Sequence, residues 1–339
     1  MSVAELNRKY FDTISDSYDT KPWFATVNTQ VANELRSRLS WIGIPFANTG
    51  SASNAPDASD ASDTSEVRLL DYACGTGLMT RIFSPYVTKT LGIDISPNMV
   101  STYKSRAASA GLPPSTVDAV VGDLFNKSNP RPEELNGKEW WDFDIATVGF
   151  GFHHFEDVVH AARQLKERLR PGGALVINEF LEGGDLLADE NGHMVEGSEG
   201  NHAVHKHGHG HGHHGHGHKH EQEHSDDKAH HVHNHSHSHS GKHEHTDKHH
   251  TSKEGDFTNP DPELRKKMND SIVVPHFTID GVKEFFTAAG FVHVDVITLK
   301  ERSYMEFGGK KMWRTILIAK GMRPEKEGEV GYESGRKEC

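Results

Sequence analysis

Between Val67 and Phe180, short apolar runs alternate with amphipathic segments, and this alternation restricts the possible folds more than any other feature. The apolar runs are predicted strands. The segments between them are predicted helices, such as the one that starts at Pro97 and stops at Gly111. This alternation predicts an α/β fold, in which helices cover both faces of a parallel sheet. Right-handed crossovers would bring the carboxyl ends of the strands, and any ligand site, to one edge of the sheet.

The alternation breaks off after Phe180 and resumes with a predicted helix in "DGVKEFFTAAGF" and a predicted last strand in "KKMWRTILIAKG". Between His193 and His250 lie 22 of the 27 histidines. Such a block inside a domain is tolerable in a surface loop, because the entropy of loop closure grows slowly with length. The predicted ranges are an N-terminal helical cap (1–47), a low-complexity loop (48–66), a first core part (67–182), a disordered His-rich insertion (183–258), a second core part (259–322) and a flexible tail (323–339).

Composition excludes several classes of protein. The net charge of -12 argues against a nucleic-acid partner, which normally meets a basic face. No apolar run reaches the roughly 18 residues of a membrane span, so no membrane partner is expected. Two cysteines, Cys74 and Cys339, make no disulfide framework and favour a reducing compartment. The cytoplasm is the expected location, with the nucleus left open.

The stretch "DYACGTG", from Asp71 to Gly77, follows the first predicted strand and opens a helix. Its glycines allow the backbone to approach a ligand closely, and the helix N-terminus presents N–H groups to it. A dinucleotide fingerprint needs a third glycine, which is missing here, and the acid at Asp71 would repel a pyrophosphate. An NAD-dependent oxidoreductase is therefore disfavoured.

Two further carboxylates end the next two predicted strands. Asp94 is placed to accept hydrogen bonds from ribose hydroxyls, and Asp123 from an adenine amino group. Asp71 would then suit an ammonium- or sulfonium-bearing tail. Each aspartate alone is more often a turn or N-cap residue, but three at successive strand ends favour a nucleoside without a diphosphate.

These segments resemble the motifs of the class I S-adenosylmethionine-dependent methyltransferases, and in particular the type 11 group. "DYACGTG" is similar to the first motif with Ala73 at its first glycine, and "GIDIS", "VVGDLF" and "FDIATVGFGFHHFED" are similar to the next three. The resemblance implies a Rossmann-like seven-stranded sheet whose last strand is antiparallel. It also implies these cofactor-binding residues: Asp71, Ala73, Cys74, Gly75, Gly77, Asp94, Ile95, Met99, Asp123, Leu124 and Gly149.

The resemblance further implies a helical cap that closes over the cofactor and the acceptor. Its aromatic residues Tyr10, Tyr18 and Trp23, together with Phe152, either contact the substrate or simply pack the cap. A base for the acceptor is sought among three histidines, His154 first and then His153 and His276. For each of them a structural role is the alternative. Cys74 fits a buried, inert thiol better than a nucleophile.

The His-rich block predicts chelation of Zn, Ni or Cu(II), because imidazoles at alternate positions lie on one side of an extended chain. No fixed ligand spacing specifies a structured site, so the metal is expected to be adventitious. The alternative is a disordered insert with no metal role. The candidate ligands are His205, His207, His209, His211, His213, His214, His216 and His218.

The sequence thus predicts an S-adenosylmethionine-dependent methyltransferase that acts on a small molecule by in-line displacement. A protein acceptor is the alternative within the same enzyme class. A metal-binding or metal-sensing protein built on a methyltransferase scaffold is the alternative from another class. The acceptor, its reacting atom and the oligomeric state stay open, because acceptor pockets in this fold vary independently of the cofactor site.

Overall fold

The computed structural model of the chain describes residues 1–48, 66–203, 262–307 and 309–326. These residues belong to one compact unit, Met1–His205 with Phe257–Cys339. The α-helices of the described ranges are α1 (Val3–Ile14), α2 (Pro22–Ser37), α3 (Leu39–Ile42), α4 (Leu78–Phe83), α5 (Pro97–Ser109), α6 (Val158–Arg168), α7 (Pro262–Ser271) and α8 (Ile279–Ala288).

Most strands of the described ranges coincide with the apolar runs of the sequence. They are β1 (Arg68–Tyr72), β2 (Lys89–Asp94), β3 (Val117–Val121), β4 (Phe143–Gly149), β5 (Leu169–Phe180), β6 (Leu186–Leu187), β7 (Val292–Thr298), β8 (Ser303–Phe307), β9 (Lys310–Arg314) and β10 (Ile316–Met322).

Seven strands form one sheet in the order β3-β2-β1-β4-β5-β10-β7. Strands β1 to β5 run parallel, whereas β10 runs antiparallel to both of its neighbours, β5 and β7. The predicted Rossmann-like sheet with an antiparallel last strand is therefore confirmed. Successive strand residues point to opposite faces of a sheet. Leu69 and Leu70 in β1 are both fully buried, so this strand is covered on both faces of the sheet.

Helices cover both faces of the large sheet. On one face α2 and α4 pack over β1 and β5, with Val31 and Leu35 of α2 fully buried against residues such as Val176. On the other face α6 and α8 pack their apolar stripes against residues such as Ile177. Val31, Leu35 and Leu39 are spaced as residues of one helix face. The first two share the buried face of α2, but α2 ends at Ser37 and Leu39 begins the short helix α3.

Helix α6 ends before the Pro171–Gly172 pair, which is the helix-stop signal that the sequence contains. It ends at Arg168, and the next three residues already run as strand β5. Leu169 is fully buried and pairs with Phe143 in β4, so burial of this side chain outweighs continuation of the helix.

A second sheet of three strands, in the order β6-β9-β8, was not predicted. The stretch "KKMWRTILIAKG" forms two strands instead of one, because the chain turns between the sheets at Thr315. There the Thr315 hydroxyl donates to the carbonyl of Gly184 at 2.9 Å. The carbonyl of Thr315 accepts from the N–H of Leu181 at 3.0 Å.

Residues 183–203, which the sequence places in the insertion, pack on the domain. Leu186 in β6 pairs with Trp313 in β9, and the backbones of Asp185 and Gly200 exchange two hydrogen bonds. The low-complexity loop at 49–65, the His-rich block at 204–261 and the tail from 327 lie outside the described residues. The domain ranges given above remain predictions.

Candidate active site

The larger of two adjoining cavities lies at the predicted edge of the sheet, where β1, β2 and β4 end, and has a volume of about 380 Å³. It is called the larger cavity below. Most of the residues that the resemblance assigns to the cofactor line this cavity: Ala73, Cys74, Gly75, Asp94, Ile95, Met99, Asp123 and Gly149. The other three, Asp71, Gly77 and Leu124, are absent from its wall.

The turn after β1 has a backbone conformation that favours glycine. Gly75 and Gly77 have φ angles of 49° and 90°. A Cβ on Gly77 would lie 3.1 Å from the ring of Tyr103, so a side chain there would displace that ring. Ala73 adopts a φ of 51°, a left-handed conformation that costs a non-glycine residue roughly 1–2 kcal/mol. The departure from the family's first motif is thus accommodated by strained backbone in the wall of the larger cavity.

Asp71 lies beneath this turn and does not face the larger cavity. Its Oδ2 accepts hydrogen bonds from the N–H of Thr80 at 3.0 Å and from the Thr80 hydroxyl at 2.6 Å. Burial raises the pKa of Asp71 to about 7, although the Thr80 hydrogen bonds lower it. The carboxylate holds the first turn of α4 in place, which differs from the contact with a cationic tail that the sequence suggested.

Asp94 is the carboxylate that reaches the larger cavity from the end of β2. Its Oδ2 accepts from the N–H of Gly75 at 2.8 Å, and its Oδ1 accepts from the N–H of Ser96 at 2.9 Å. Burial raises the pKa of Asp94 to about 6, and these backbone hydrogen bonds partly offset the rise. The carboxylate is rigidly oriented, and each oxygen keeps a lone pair for a ligand hydroxyl.

Asp123 lies at the neighbouring position after β3 and also lines the larger cavity. Its Oδ1 accepts from the N–H of Phe125 at 2.8 Å and from the Tyr72 hydroxyl at 3.3 Å. The backbone N–H of Leu124 donates to the Tyr72 oxygen at 3.2 Å, while the Leu124 side chain is buried in the core. Only Asp123 of this pair can therefore contact a ligand through its side chain.

The N-terminal segment covers the larger cavity through contacts that the sequence did not reveal. Asp12 in α1 accepts a hydrogen bond from the Ser96 hydroxyl at 2.6 Å, next to Asp94. Asp19 accepts from the Thr76 hydroxyl at 2.9 Å and from Nη2 of Arg106 at 2.6 Å. Asp12 and Asp19 both lie in the segment "YFDTISDSYD" of the predicted cap, but nothing in that segment identified their hydrogen-bond partners.

A second cavity of about 150 Å³ adjoins the first and is called the smaller cavity below. Tyr10, Tyr18 and Trp23 line it, as expected for residues of the cap, whereas Phe152 lies in the core and stacks on Phe285. The two cavities share five wall residues: Phe11, Tyr18, Phe24, Phe150 and His154. The arrangement provides two compartments that meet under the cap.

The three candidate histidines have different surroundings. His153 lines the smaller cavity, and its Nδ1 lies 2.9 Å from Oε2 of the fully buried Glu179. His154 lines both cavities, and its Nδ1 lies 2.8 Å from the carbonyl oxygen of Ser271.

His276 is absent from the walls of both cavities. It is buried with Nε2 at 2.9 Å from the Asp185 carboxylate, which also accepts from Nε of Arg314 at 3.0 Å. This geometry fits the structural alternative for His276. Of the three candidates, His153 and His154 are the two that line the smaller cavity.

The fold and this edge site define a class I methyltransferase, and the comparisons with known proteins agree. A family model described as a methyltransferase domain matches residues 34–296, and the chain belongs to this family of S-adenosylmethionine-dependent enzymes. An uncharacterized methyltransferase of Schizosaccharomyces pombe is 30% identical over 123 residues, which are 36% of this chain and 42% of the relative. A demethylmenaquinone methyltransferase of Staphylococcus aureus is 34% identical over 116 residues, 33% and 43% of the respective chains.

The match thus spans less than half the length of these curated relatives. Among solved structures, the YcgJ protein of Bacillus subtilis is similar with a TM-score of 0.40 and 15% identity, covering 77% of this chain and 93% of that one.

Two further expectations concern metals and membranes. The described residues contain no group of three or more His, Cys, Asp or Glu side chains arranged to hold a metal ion. The eight histidines predicted to chelate metals, His205 to His218, lie outside the described residues, so metal chelation by them remains a prediction. None of the helices in the described ranges is long and apolar enough to span a membrane.

Proposed function

We propose that the protein transfers a methyl group from S-adenosylmethionine, bound in the larger cavity, to a small molecule in the smaller cavity. One observation carries the proposal. Asp94 and Asp123 line a cavity of about 380 Å³ that adjoins, under the cap, a second cavity whose wall includes His153, paired with the buried Glu179. The larger volume falls within the range of about 300–1,000 Å³ that is typical of small-molecule sites.

The residues of the larger cavity suit the chemistry of the cofactor. The Asp94 carboxylate, oriented by two backbone N–H groups, would accept hydrogen bonds from the ribose hydroxyls. Asp123 would accept one from the adenine amino group. The strained turn from Ala73 to Gly77 lets the backbone approach the ligand closely. The bound cofactor supplies an activated methyl group on a sulfonium.

The chain itself would position the acceptor and receive its proton. His153 donates its Nδ1–H to Glu179, which leaves the Nε2 lone pair for the acceptor. The proton that an acceptor hydroxyl loses as it takes up the methyl group would go to His153. Glu179 stabilises the imidazolium that results. The cap over both cavities would exclude water.

His153 is a better base than His154 for an electrostatic reason. A carboxylate stabilises a positive imidazolium more strongly than the backbone carbonyl of Ser271 does. His154 is placed in the wall that the two cavities share, where it would contact both ligands and align them. The preference for His154 that the sequence suggested is therefore replaced here by a proposal for His153.

Calorimetric titration with S-adenosylhomocysteine tests the cofactor site. We expect saturable binding by the full chain and an affinity about 10- to 100-fold lower in Asp94→Ala, because hydrogen bonds to a charged group are worth roughly 1.5–3 kcal/mol. Asp118→Ala is the matched control, since Asp118 on β3 pairs with Lys104 of α5 and lines neither cavity. Absence of binding by the unaltered chain would refute the proposal.

The class of acceptor is tested with a labelled methyl donor. Incubation with a metabolite extract from which protein has been removed should label small molecules, and incubation with the separated protein fraction should not. Label confined to the protein fraction would favour the protein-acceptor alternative. The Staphylococcus aureus relative named above as a demethylmenaquinone methyltransferase supports the small-molecule choice.

A further inference from the structure

Two residues that line the smaller cavity each carry a buried nitrogen atom with no hydrogen-bond partner in the described part of the chain. These atoms are Nε1 of Trp23, in α2, and Nη2 of Arg314, at the end of β9. Arg314 as a residue is only 3% exposed. Folded proteins pair the great majority of such groups, because a buried donor left without a partner costs about 1–3 kcal/mol.

Both orphan groups are donors, so the missing partner is an acceptor atom. The rest of the Arg314 guanidinium is engaged, since Nε donates to Asp185 and the group stacks 3.5 Å from the centre of the Phe180 ring. Trp23 stacks on Phe24, with ring centroids 4.2 Å apart, which fixes the plane of its indole. Neither side chain can turn to solvent without losing these contacts.

The charges around the smaller cavity disfavour an anion. Arg314 is already neutralised by Asp185, which is fully buried. Lys21 and Glu306 are the other charged side chains of the wall and offset one another, and the buried Glu179 carboxylate lies behind His153. A ligand with a full negative charge would therefore meet no net positive charge in the cavity. An uncharged oxygen satisfies both donors without burying an unpaired charge.

The remainder of the wall is apolar and suits a hydrophobic ligand. Its main contributors are Phe24, Phe150, Phe180, Met268, Ile272 and Met305. Burial of apolar surface on such walls provides binding energy, while a few convergent polar groups fix the orientation of the ligand.

We infer that the acceptor is an uncharged, apolar molecule with an oxygen atom, such as a carbonyl oxygen, that accepts hydrogen bonds from Trp23 Nε1 and Arg314 Nη2. The inference rests on the proposed function, because it takes the smaller cavity as the acceptor site. It adds a chemical class for the acceptor and two residues that recognise it.

Three probes of similar shape test the inference: 2′-hydroxyacetophenone, which carries the carbonyl, 2-ethylphenol, which lacks it, and salicylate, which is an anion. Each is titrated by calorimetry into the full chain saturated with S-adenosylhomocysteine. We expect 2′-hydroxyacetophenone to bind about tenfold more tightly than 2-ethylphenol, the effect of one or two hydrogen bonds to a neutral partner. Salicylate should bind more weakly than 2′-hydroxyacetophenone.

Trp23→Phe removes the N–H and retains an aromatic ring, so it should reduce the preference for the ketone while leaving the affinity for S-adenosylhomocysteine unchanged. Trp41→Phe is the matched control, because Trp41 donates to Asp295 and lines neither cavity. It should keep the full preference. Arg314→Met is a second variant with the same expected loss of preference.

The outcomes separate the two proposals. If S-adenosylhomocysteine does not bind the unaltered chain, the proposed function fails. If it binds but the ketone shows no preference, or none of the probes binds, only the inference fails. Tightest binding of salicylate would overturn it in favour of an anionic acceptor. A preference for the ketone that persists in both Trp23→Phe and Arg314→Met would overturn it too. The ketone oxygen would then not depend on the two donors, and water would be the group that satisfies them.

Discussion

The Asp19 carboxylate lies 2.6 Å from Nη2 of Arg106 and ties the segment after α1 to helix α5. The same carboxylate accepts a hydrogen bond from Thr76 in the turn that follows β1. Burial alone would raise the pKa of Asp19, but the hydrogen bonds from Arg106 and Thr76 outweigh it and hold the pKa below its ordinary value. The N-terminal cap is thus held over the larger cavity by an ionised group.

Asp19→Asn should loosen this cap. Loss of a half-buried ion pair is worth about 1 kcal/mol, so we expect a roughly 2- to 10-fold weaker affinity for S-adenosylhomocysteine and faster hydrogen exchange across α1. Calorimetry and exchange mass spectrometry measure the two effects. Asp16→Asn, at an exposed position in the same segment, is the control. Unaltered exchange in α1 would show that the cap does not depend on Asp19.

Asp94 should make cofactor binding depend on pH. Its pKa is raised to about 6 by burial, and the ionised carboxylate is the form that accepts hydrogen bonds from hydroxyls. Affinity for S-adenosylhomocysteine should therefore be full above pH 7 and fall as the pH drops through about 6. Titrations between pH 5 and pH 8 check this, with Asp94→Asn expected to bind weakly with little pH dependence. An equally steep pH profile in Asp94→Asn would assign the effect to another group.

Asp71 should make the ligand-free protein less stable as the pH rises. Its pKa lies at about 7 in the folded chain against an ordinary 3.8, because burial disfavours the charged form. A raised folded-state pKa means that its stabilising contribution is complete below pH 4 and is lost as the pH rises through about 7. The loss is on the order of a few kcal/mol, since each pKa unit corresponds to about 1.4 kcal/mol.

Thermal unfolding of the unaltered chain and of Asp71→Asn, followed from pH 4 to pH 8, isolates this contribution. Asp94 adds a loss of the same sign in both proteins and cancels in the comparison. As the pH rises, the unfolding temperature of Asp71→Asn should increase relative to that of the unaltered chain. Parallel curves for the two proteins would mean that the pKa of Asp71 is not raised in the folded chain.

His153→Gln should slow methyl transfer by roughly 10²- to 10⁴-fold, the usual contribution of a positioned base, without weakening the binding of S-adenosylhomocysteine. His154→Gln should cost less and should also alter the apparent KM, because His154 lines both cavities. Rates are measured with the acceptor that the metabolite screen yields. In Glu179→Gln the rate should also fall, and its pH profile should shift, because Glu179 positions His153. A larger loss of rate in His154→Gln would reverse the assignment.

The His-rich block should be dispensable for the chemistry if the deletion respects the packed residues before it. Ala203 is buried against Ile272 and Met312, so the deletion should begin at Lys206 and end at Asp256, with a short linker in place. We expect unchanged methyl transfer and loss of zinc uptake, measured by calorimetry with ZnCl₂. If the deletion abolishes both zinc uptake and methyl transfer, the result would support the metal-sensing alternative.

Much of the fold follows from local sequence, because strand and helix periodicity, N-caps and turns depend on neighbouring residues. Pro97 and Ser96 start α5 as the sequence indicates, and Asp94 and Asp123 stand at strand ends for the same reason. The early end of α6 could not be predicted locally. It depends on the pairing of Leu169 with Phe143, which is a contact between distant strands.

The sequence by itself determined the alternation of strands and helices from Val67 to Phe180, the glycine turn and the carboxylates at the edge of the sheet, since backbone conformation is a local property. Tertiary structure alone decided which side chains meet. It turned Asp71 away from the larger cavity, paired His153 with Glu179 and brought Trp23 and Arg314 to one wall. Such pairs form when the crossovers of the sheet bring distant segments together, and no pattern within either segment records the distance between them.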